Sequence, residues 1–177
     1  MPVIDQVVVQ GLVAADAAAI TAPAKGKALE DLICYIFEQV PGISITRRNQ
    51  LNAFHNEEID VAFFNDRVPT GFFFLPDLIL IEAKNWSARV GSVEVSWFDR
   101  KIESRGLPFG ILVAKNGVTG NAEDLTAAHQ TIALGLAKQR RLIVITVAEL
   151  IGLADTDELV ALVKSKLCDL ALKGTII

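Results

Sequence analysis

Apolar residues recur along this chain with two different spacings, and these spacings predict where helices and strands lie. Between residues 25 and 40, apolar side chains fall three or four positions apart, which is typical of one face of an α-helix. Residues 43–48 and 57–64 instead alternate between apolar and polar positions, as half-buried β-strands do. The apolar runs at residues 78–81 and 142–145 favour strands that are buried on both faces.

The order of the predicted elements indicates the fold class. Three strands follow the first of these helices, and further strands then alternate with helices predicted at residues 91–105, 121–138 and 155–172. Asn121 is the expected N-cap of the second of these helices. Successive strands joined by modest loops favour antiparallel pairing, whereas strands joined through helices favour crossover connections. We therefore predict an α/β fold in which a mixed central β-sheet is sandwiched by helices.

The N-terminal residues 1–24 form a distinct predicted segment. They are rich in alanine and valine, and their apolar positions fall near helical spacing. We predict a helix that packs on the domain or on a partner subunit and that Pro23 ends, because proline lacks the N–H that a helix interior needs. Residues 25–177 contain no repeat or long polar linker, so we predict a single domain there.

Composition excludes several classes of protein. No apolar run reaches the ~18–20 residues of a membrane span, and the N-terminus lacks the pattern of a signal peptide, so we expect a cytoplasmic protein without membrane partners. The two cysteines lack a metal-binding spacing, and Cys34 fits a small buried residue of the helix. A net charge of −4 argues against a sequence-blind polyanion binder, which is usually basic.

Several polar and aromatic residues favour ordinary structural roles over functional ones. The chain has three basic clusters, each of which is more typical of a solvated face than of a phosphate-binding track: Arg47 with Arg48, Arg100 with Lys101 and Arg105, and Lys138 with Arg140 and Arg141. His55 and His129 are isolated, and His129 favours a surface or packing role. Trp97 favours the core, although it follows the 78–86 segment and is therefore also a candidate for lining a cleft.

The segment L-I-L-I-E-A-K-N-W at residues 78–86 carries the strongest chemical signal. Glu82 and Lys84 are two positions apart and therefore project from the same face of the strand. This pair is either an ion pair where a strand emerges into water or part of a metal site. Asp60 lies within the preceding strand, where acids are disfavoured, and antiparallel pairing would bring it next to Glu82. Two such carboxylates, with the carbonyl of Ala83, are the hard oxygen ligands that Mg²⁺ prefers.

These residues also occur in a recognisable order. An acid on the 25–40 helix (Glu30), Asp60 on a hairpin strand and E-x-K at the end of the next strand resemble the restriction-endonuclease-like PD-(D/E)xK superfamily, and Mrr-type domains most closely. The resemblance extends through K-G-K-A-L-E-D-L-I-C-Y-I-F, E-I-D-V-A-F-F and G-I-L-V-A-K-N-G-V-T-G. It implies a restriction-endonuclease-like fold and a metal-dependent DNA endonuclease that uses Mg²⁺ or Mn²⁺.

The resemblance assigns a role to each matching residue. Asp60 and Glu82 are implied to hold the metal ion, Lys84 to be catalytic and Glu30 to support them. Asp77 follows a proline, as the motif's name suggests, but it lies five positions before Glu82 and therefore on the opposite face of a continuous strand. We expect DNA as the substrate and a homodimer as the assembly. The alternative is a catalytically inactive module of the same fold that binds DNA or protein, which the acidic composition and the apolar N-terminal segment favour.

Overall fold

The computed structural model describes residues 2–52, 57–120 and 126–175, and these residues contain six helices and five strands. In chain order the elements are α1 (Gln6–Ala18), α2 (Ala22–Glu38), β1 (Ile43–Leu51), β2 (Glu58–Asn65), β3 (Leu78–Lys84), α3 (Ser92–Ser104), β4 (Phe109–Ala114), α4 (Ala128–Ala137), β5 (Arg141–Thr146), α5 (Val147–Ile151) and α6 (Thr156–Lys173). No helix in the described part of the chain is both long and apolar enough to cross a membrane.

The five strands form one sheet in the order β1-β2-β3-β4-β5. The pairs β1–β2 and β2–β3 are antiparallel, whereas β3–β4 and β4–β5 are parallel and are joined through α3 and α4. This arrangement confirms the predicted mixed sheet, because the successive strands pair as hairpins and the later strands require crossovers.

Helices cover both faces of the sheet. In β2 the buried residues alternate, and Phe63 on the buried face stacks on Phe37 of α2 with ring centroids 5.6 Å apart. Helix α3 covers the other face, where Gly110 of β4 leaves room for it. A Cβ atom at Gly110 would lie only 2.5 Å from Ile102 and 2.9 Å from Phe98. The absence of a side chain therefore allows α3 to pack closely against β4.

The N-terminal segment differs from the prediction at Pro23. Helix α1 ends at Ala18, and Pro23 lies in the first turn of α2, where the Thr21 hydroxyl accepts a hydrogen bond from the Ala24 N–H at 3.3 Å. Proline fits there because the first N–H groups of a helix have no intrahelical partner. Pro23 therefore helps to begin a helix and does not end one.

The helix before β5 is shorter than predicted. Helix α4 begins at Ala128, and Thr126 and Ala127 are not helical. The predicted N-cap, Asn121, lies outside the described residues, and the N-cap of α4 is Ala127. Ala127 has φ +51°, which breaks the helical pattern, and Gly120 approaches the Thr126 carbonyl so closely that no side chain fits there.

Candidate active site

The register of the central strands brings Asp60 and Glu82 together on one face of the sheet. Val61 of β2 is paired with Ile81 of β3, so Asp60 and Glu82 follow one step beyond on the two antiparallel strands. Asp60 Oδ2 accepts a hydrogen bond from the N–H of Ala83 at 2.7 Å. The side chain of Asp60 thus takes over the pairing with β3 where the backbone ladder stops.

The carboxyl group of Asp60 is placed where a negative charge is unfavourable. Burial, followed by the neighbouring charge of Glu82, raises the pKa of Asp60 to about 6. The Ala83 N–H and the ammonium groups of Lys84 and Lys101 act in the opposite direction but do not cancel these two effects. A cation between the two carboxylates would relieve their repulsion.

Two lysines hold the carboxylate of Glu82, which is buried. The Lys84 ammonium lies 2.6 Å from Oε1, and the Lys101 ammonium, reaching from α3, lies 2.6 Å from Oε2. Burial disfavours the charged form of Lys84, but the charge and the hydrogen bond of Glu82 outweigh it and raise the pKa of Lys84. Glu82, on the strand predicted to carry the site, thus has one ammonium group at each of its two oxygens.

A cavity of about 280 Å³ opens in front of these groups. Its lining consists mainly of charged side chains: Glu57, Glu58, Glu82, Lys84, Glu94, Trp97 and Lys101. Trp97 is 51% exposed, so its predicted place in the core is wrong. The Arg100 guanidinium lies 5.1 Å from the Trp97 ring centroid, within the range of a cation–π contact.

Another cavity, of about 300 Å³, lies between α1, α2 and α5 and is almost entirely apolar. The charged group at its edge, Asp16, already accepts hydrogen bonds from Asn85 at 2.5 Å and from Lys115 at 3.0 Å. Asn85 therefore attaches the end of the β3 segment to α1. Because the lining of this cavity is almost entirely apolar, the charged cavity beside Glu82 is the better candidate for chemistry.

Glu30 occupies a different environment from the one predicted for it. Its carboxylate is buried and accepts hydrogen bonds from Arg48 and Asn49 of β1, each at 3.1 Å. Arg48 is the register partner of Val61, which lies on the face of the sheet opposite to Asp60. The hydrogen bonds and ion pair of Glu30 thus go to β1, and its supporting role at the site stays a prediction.

Asp77 lies apart from Asp60, Glu82 and Lys84, as expected from its odd separation of five positions from Glu82. It directly precedes β3, its side chain is 63% exposed, and its carboxylate lies 3.7 Å from Arg67. Since Asp77 is exposed and pairs with a loop residue, its position matches the prediction that it belongs to the loop–strand junction.

The ion pair between Lys101 and Glu82 was not predicted from the sequence. Lys101 was expected on a solvated face, but its side chain is only 13% exposed and its partner is buried. A signal was present in the spacing, because Lys101 follows Phe98 by three positions and precedes Ile102, and both of these are buried in α3. Members of the other two basic clusters are also paired, Arg48 with Glu30 and Asp31, and Arg140 with Asp99 and Glu103.

The donor set suits a hard divalent cation. Within the described ranges, no group of three or more His, Cys, Asp or Glu side chains forms a metal cluster. Mg²⁺ is usually held by only one or two carboxylates, and water and phosphate oxygens complete its shell. Asp60 and Glu82 supply such a pair, so the residues present fit the ion, although lysines now contact both oxygens of Glu82.

The sequence as a whole matches a known family over most of its length. The restriction endonuclease family of the Mrr catalytic type matches residues 22–163, which run from α2 to the first turns of α6 and include Asp60, Glu82, Lys84 and Lys101. No curated protein is similar enough to the chain to count as a match.

Proposed function

Because this chain belongs to the restriction endonuclease family, we propose that it is a metal-dependent DNA endonuclease whose active site contains Asp60, Glu82 and Lys84. The observation that supports this proposal best is that a half-buried carboxyl group, of Asp60, meets a buried one, of Glu82, on adjacent strands. Asp60 is fixed by the Ala83 N–H, and Glu82 is fixed by Lys84. An ordinary surface ion pair would need only one of the two acids.

In the proposed site, Asp60, Glu82 and the carbonyl of Ala83 hold the metal ion, for which Mg²⁺ or Mn²⁺ is suitable. Such an ion polarises a phosphodiester and lowers the pKa of bound water. The protein itself fixes the two carboxylates before substrate arrives, because both sit on paired strands and Asp60 has a main-chain donor. Glu30 supports this arrangement indirectly, through its contacts with β1.

Lys84 is proposed to act on the substrate directly. Its ammonium lies at the border between Glu82 and the charged cavity, and the charge of Glu82 keeps it protonated. An ammonium ion so placed stabilises the negative charge that develops on a phosphate oxygen during hydrolysis, or orients the attacking water. We also propose a homodimer, since a second copy would supply an active site for the other DNA strand.

The test is cleavage of plasmid and linear DNA in the presence of Mg²⁺ or Mn²⁺. We expect Asp60→Asn and Lys84→Ala to lower the cleavage rate by at least about a hundredfold, as the loss of a metal ligand or of charge stabilisation does. Asp77→Asn is a matched control, because Asp77 is exposed and pairs with Arg67. Cleavage that persists in both site variants, or that is lost only in Asp77→Asn, would contradict the assignment.

A specific observation also favours the alternative of an inactive module that serves DNA or protein binding and assembly. Both oxygens of Glu82 already accept hydrogen bonds from ammonium groups at 2.6 Å, so the site is neutralised without a metal ion. Calorimetric titration with Mn²⁺ separates the two functions. The endonuclease requires saturable binding that Asp60→Asn removes, whereas the inactive module binds no Mn²⁺ at this site.

A further inference from the structure

Two ammonium groups and a metal ion would compete for the same carboxylate. Glu82 has two oxygens, and Lys84 and Lys101 each contact one of them at 2.6 Å. Charge-assisted hydrogen bonds of this length are strong, and a divalent ion bound to either oxygen would lie close to an ammonium group of the same sign. We therefore expect a divalent ion that binds Glu82 to displace one of the lysines.

The placement of the two lysines indicates which one is displaced. Lys84 lies two residues from Glu82 on the same strand, and its ammonium is also 5.7 Å from the Trp86 ring centroid. Lys101 reaches Glu82 from a different element, α3, through a flexible four-carbon stem. Like Lys84, Lys101 lines the cavity, so its ammonium has space into which it can rotate.

We propose that Lys101 is a positioning residue that occupies the metal side of Glu82 until a divalent cation displaces it into the cavity. This inference rests on the proposed function of the site. Before the metal arrives, Lys101 neutralises a buried carboxylate that would otherwise be repelled by Asp60. After displacement, its positive charge lies in the charged cavity beside Glu82, where it attracts the phosphate backbone of the proposed DNA substrate.

The consequence is that Lys101 opposes metal binding while it supports cleavage. In DNA-free protein, Lys101→Met removes the competitor but keeps most of the aliphatic stem, and we expect its Mn²⁺ affinity in calorimetry to rise at least about tenfold. Its cleavage rate at saturating Mn²⁺ should fall. Lys101→Arg should restore weak metal binding, because its guanidinium again contacts the carboxylate.

Arg105→Met is the matched control for a general effect of charge. Arg105 belongs to the same basic cluster and contacts Glu57, which lines the same cavity, at 3.0 Å, but it has no ion pair with Glu82. This variant changes the net charge as Lys101→Met does, so we expect its Mn²⁺ affinity to stay within about twofold of the unaltered protein. Equal increases in both variants, or no increase in Lys101→Met, would overturn the proposal.

Chemical labelling tests the displacement in the unaltered protein and does not depend on the folding of a variant. The Lys101 side chain is 13% exposed, so acetic anhydride should acetylate it slowly in chelator. We expect the rate at Lys101, read by peptide mass spectrometry, to rise several-fold with saturating Mn²⁺, whereas the rate at Lys173 of α6 stays constant. An unchanged or slower reaction at Lys101 would mean that the metal does not release it.

Failure of this inference differs from failure of the proposed function. If Asp60→Asn abolishes both Mn²⁺ binding and cleavage while Lys101→Met binds Mn²⁺ as the unaltered protein does, the endonuclease stands and the role of Lys101 is wrong. If Asp60→Asn still cleaves DNA, the proposed site is wrong whatever Lys101 does.

Discussion

At the scale of single residues, the structure explains why an acid occupies the middle of a strand. Asp60 lies within β2, where acids are disfavoured, and its one described hydrogen bond, from Ala83, does not offset burial beside Glu82. Such an acid is unfavourable for folding, and its presence therefore indicates a functional role. The sequence could reveal Asp60, Glu82 and Lys84 because charged residues are disfavoured within strands.

Because the ionised form of Asp60 is unfavourable in the folded protein, we expect that removing its charge does not destabilise the metal-free protein. Asp60→Asn keeps an oxygen that accepts from the Ala83 N–H and removes the repulsion with Glu82. In chelator at pH 7.5, we expect the free energy of unfolding from urea titration to be unchanged or to rise by about 1 kcal/mol.

Asp99→Asn is a control that should change the free energy of unfolding in the opposite direction. The carboxylate of Asp99 holds the buried Arg140 through two hydrogen bonds, at 2.8 and 2.7 Å, so its loss should lower the free energy of unfolding by about 1–3 kcal/mol. A loss of that size in Asp60→Asn as well would show that Asp60 stabilises the fold.

At the scale of elements, the site depends on how α3 is seated against the sheet. The hydrophobic spacing predicted α3 and β4, and it could also predict the buried stripe of Val95, Phe98 and Ile102. It could not predict that Lys101 reaches Glu82, because that contact requires the close approach of α3 that Gly110 permits. Contacts between distant segments depend on such packing, which no local pattern of the chain records.

Helix α5 offers a test of local structure by pH. Burial opposes ionisation of Glu149, but its contacts with Lys166 and with the N–H and hydroxyl of Thr146 outweigh burial and lower its pKa below 4.5. A lowered pKa means that the carboxylate stabilises the folded state above pH 4.5 and that this stabilisation is lost as the pH falls further.

Glu149→Gln should therefore reduce stability in a pH-dependent manner. Because the group is partly solvated, we expect a loss of only about 0.5–1 kcal/mol at pH 7, measured by urea unfolding. The difference from the unaltered protein should shrink progressively below pH 4.5. A difference that is the same at pH 7 and pH 3.5 would contradict the assigned role of the carboxylate.

At the scale of the whole molecule, the order of elements alone was sufficient to predict the mixed sheet with helices on both faces. The charge distribution was harder to foresee, because it depends on pairing in space. Described arginines of the basic clusters, Arg48, Arg105 and Arg140, are engaged with carboxylates, and the net charge of the chain is −4. These three positive charges are therefore already neutralised within the protein, and the chain as a whole carries an excess of negative charge.

This charge balance predicts weak binding to nonspecific DNA with a shallow dependence on salt. In chelator, a plot of log Kd against log salt concentration from fluorescence anisotropy should correspond to only about two to four neutralised phosphates. Addition of Ca²⁺, an oxygen-seeking ion chosen to report binding, should strengthen the interaction if a cation joins the phosphate to the carboxylates. A steep slope in chelator, equivalent to six or more phosphates, would instead indicate a basic DNA-binding surface and contradict this prediction.

The central claim is that Asp60 and Glu82 share one divalent ion. Anomalous X-ray diffraction from crystals grown with Mn²⁺ tests it most directly, because the signal locates the ion independently of the protein. We expect a peak within about 2.0–2.3 Å of a carboxylate oxygen of each residue, with Lys101 turned away from Glu82. A fully occupied Mn²⁺ site elsewhere, with Glu82 still held by both lysines, would contradict it.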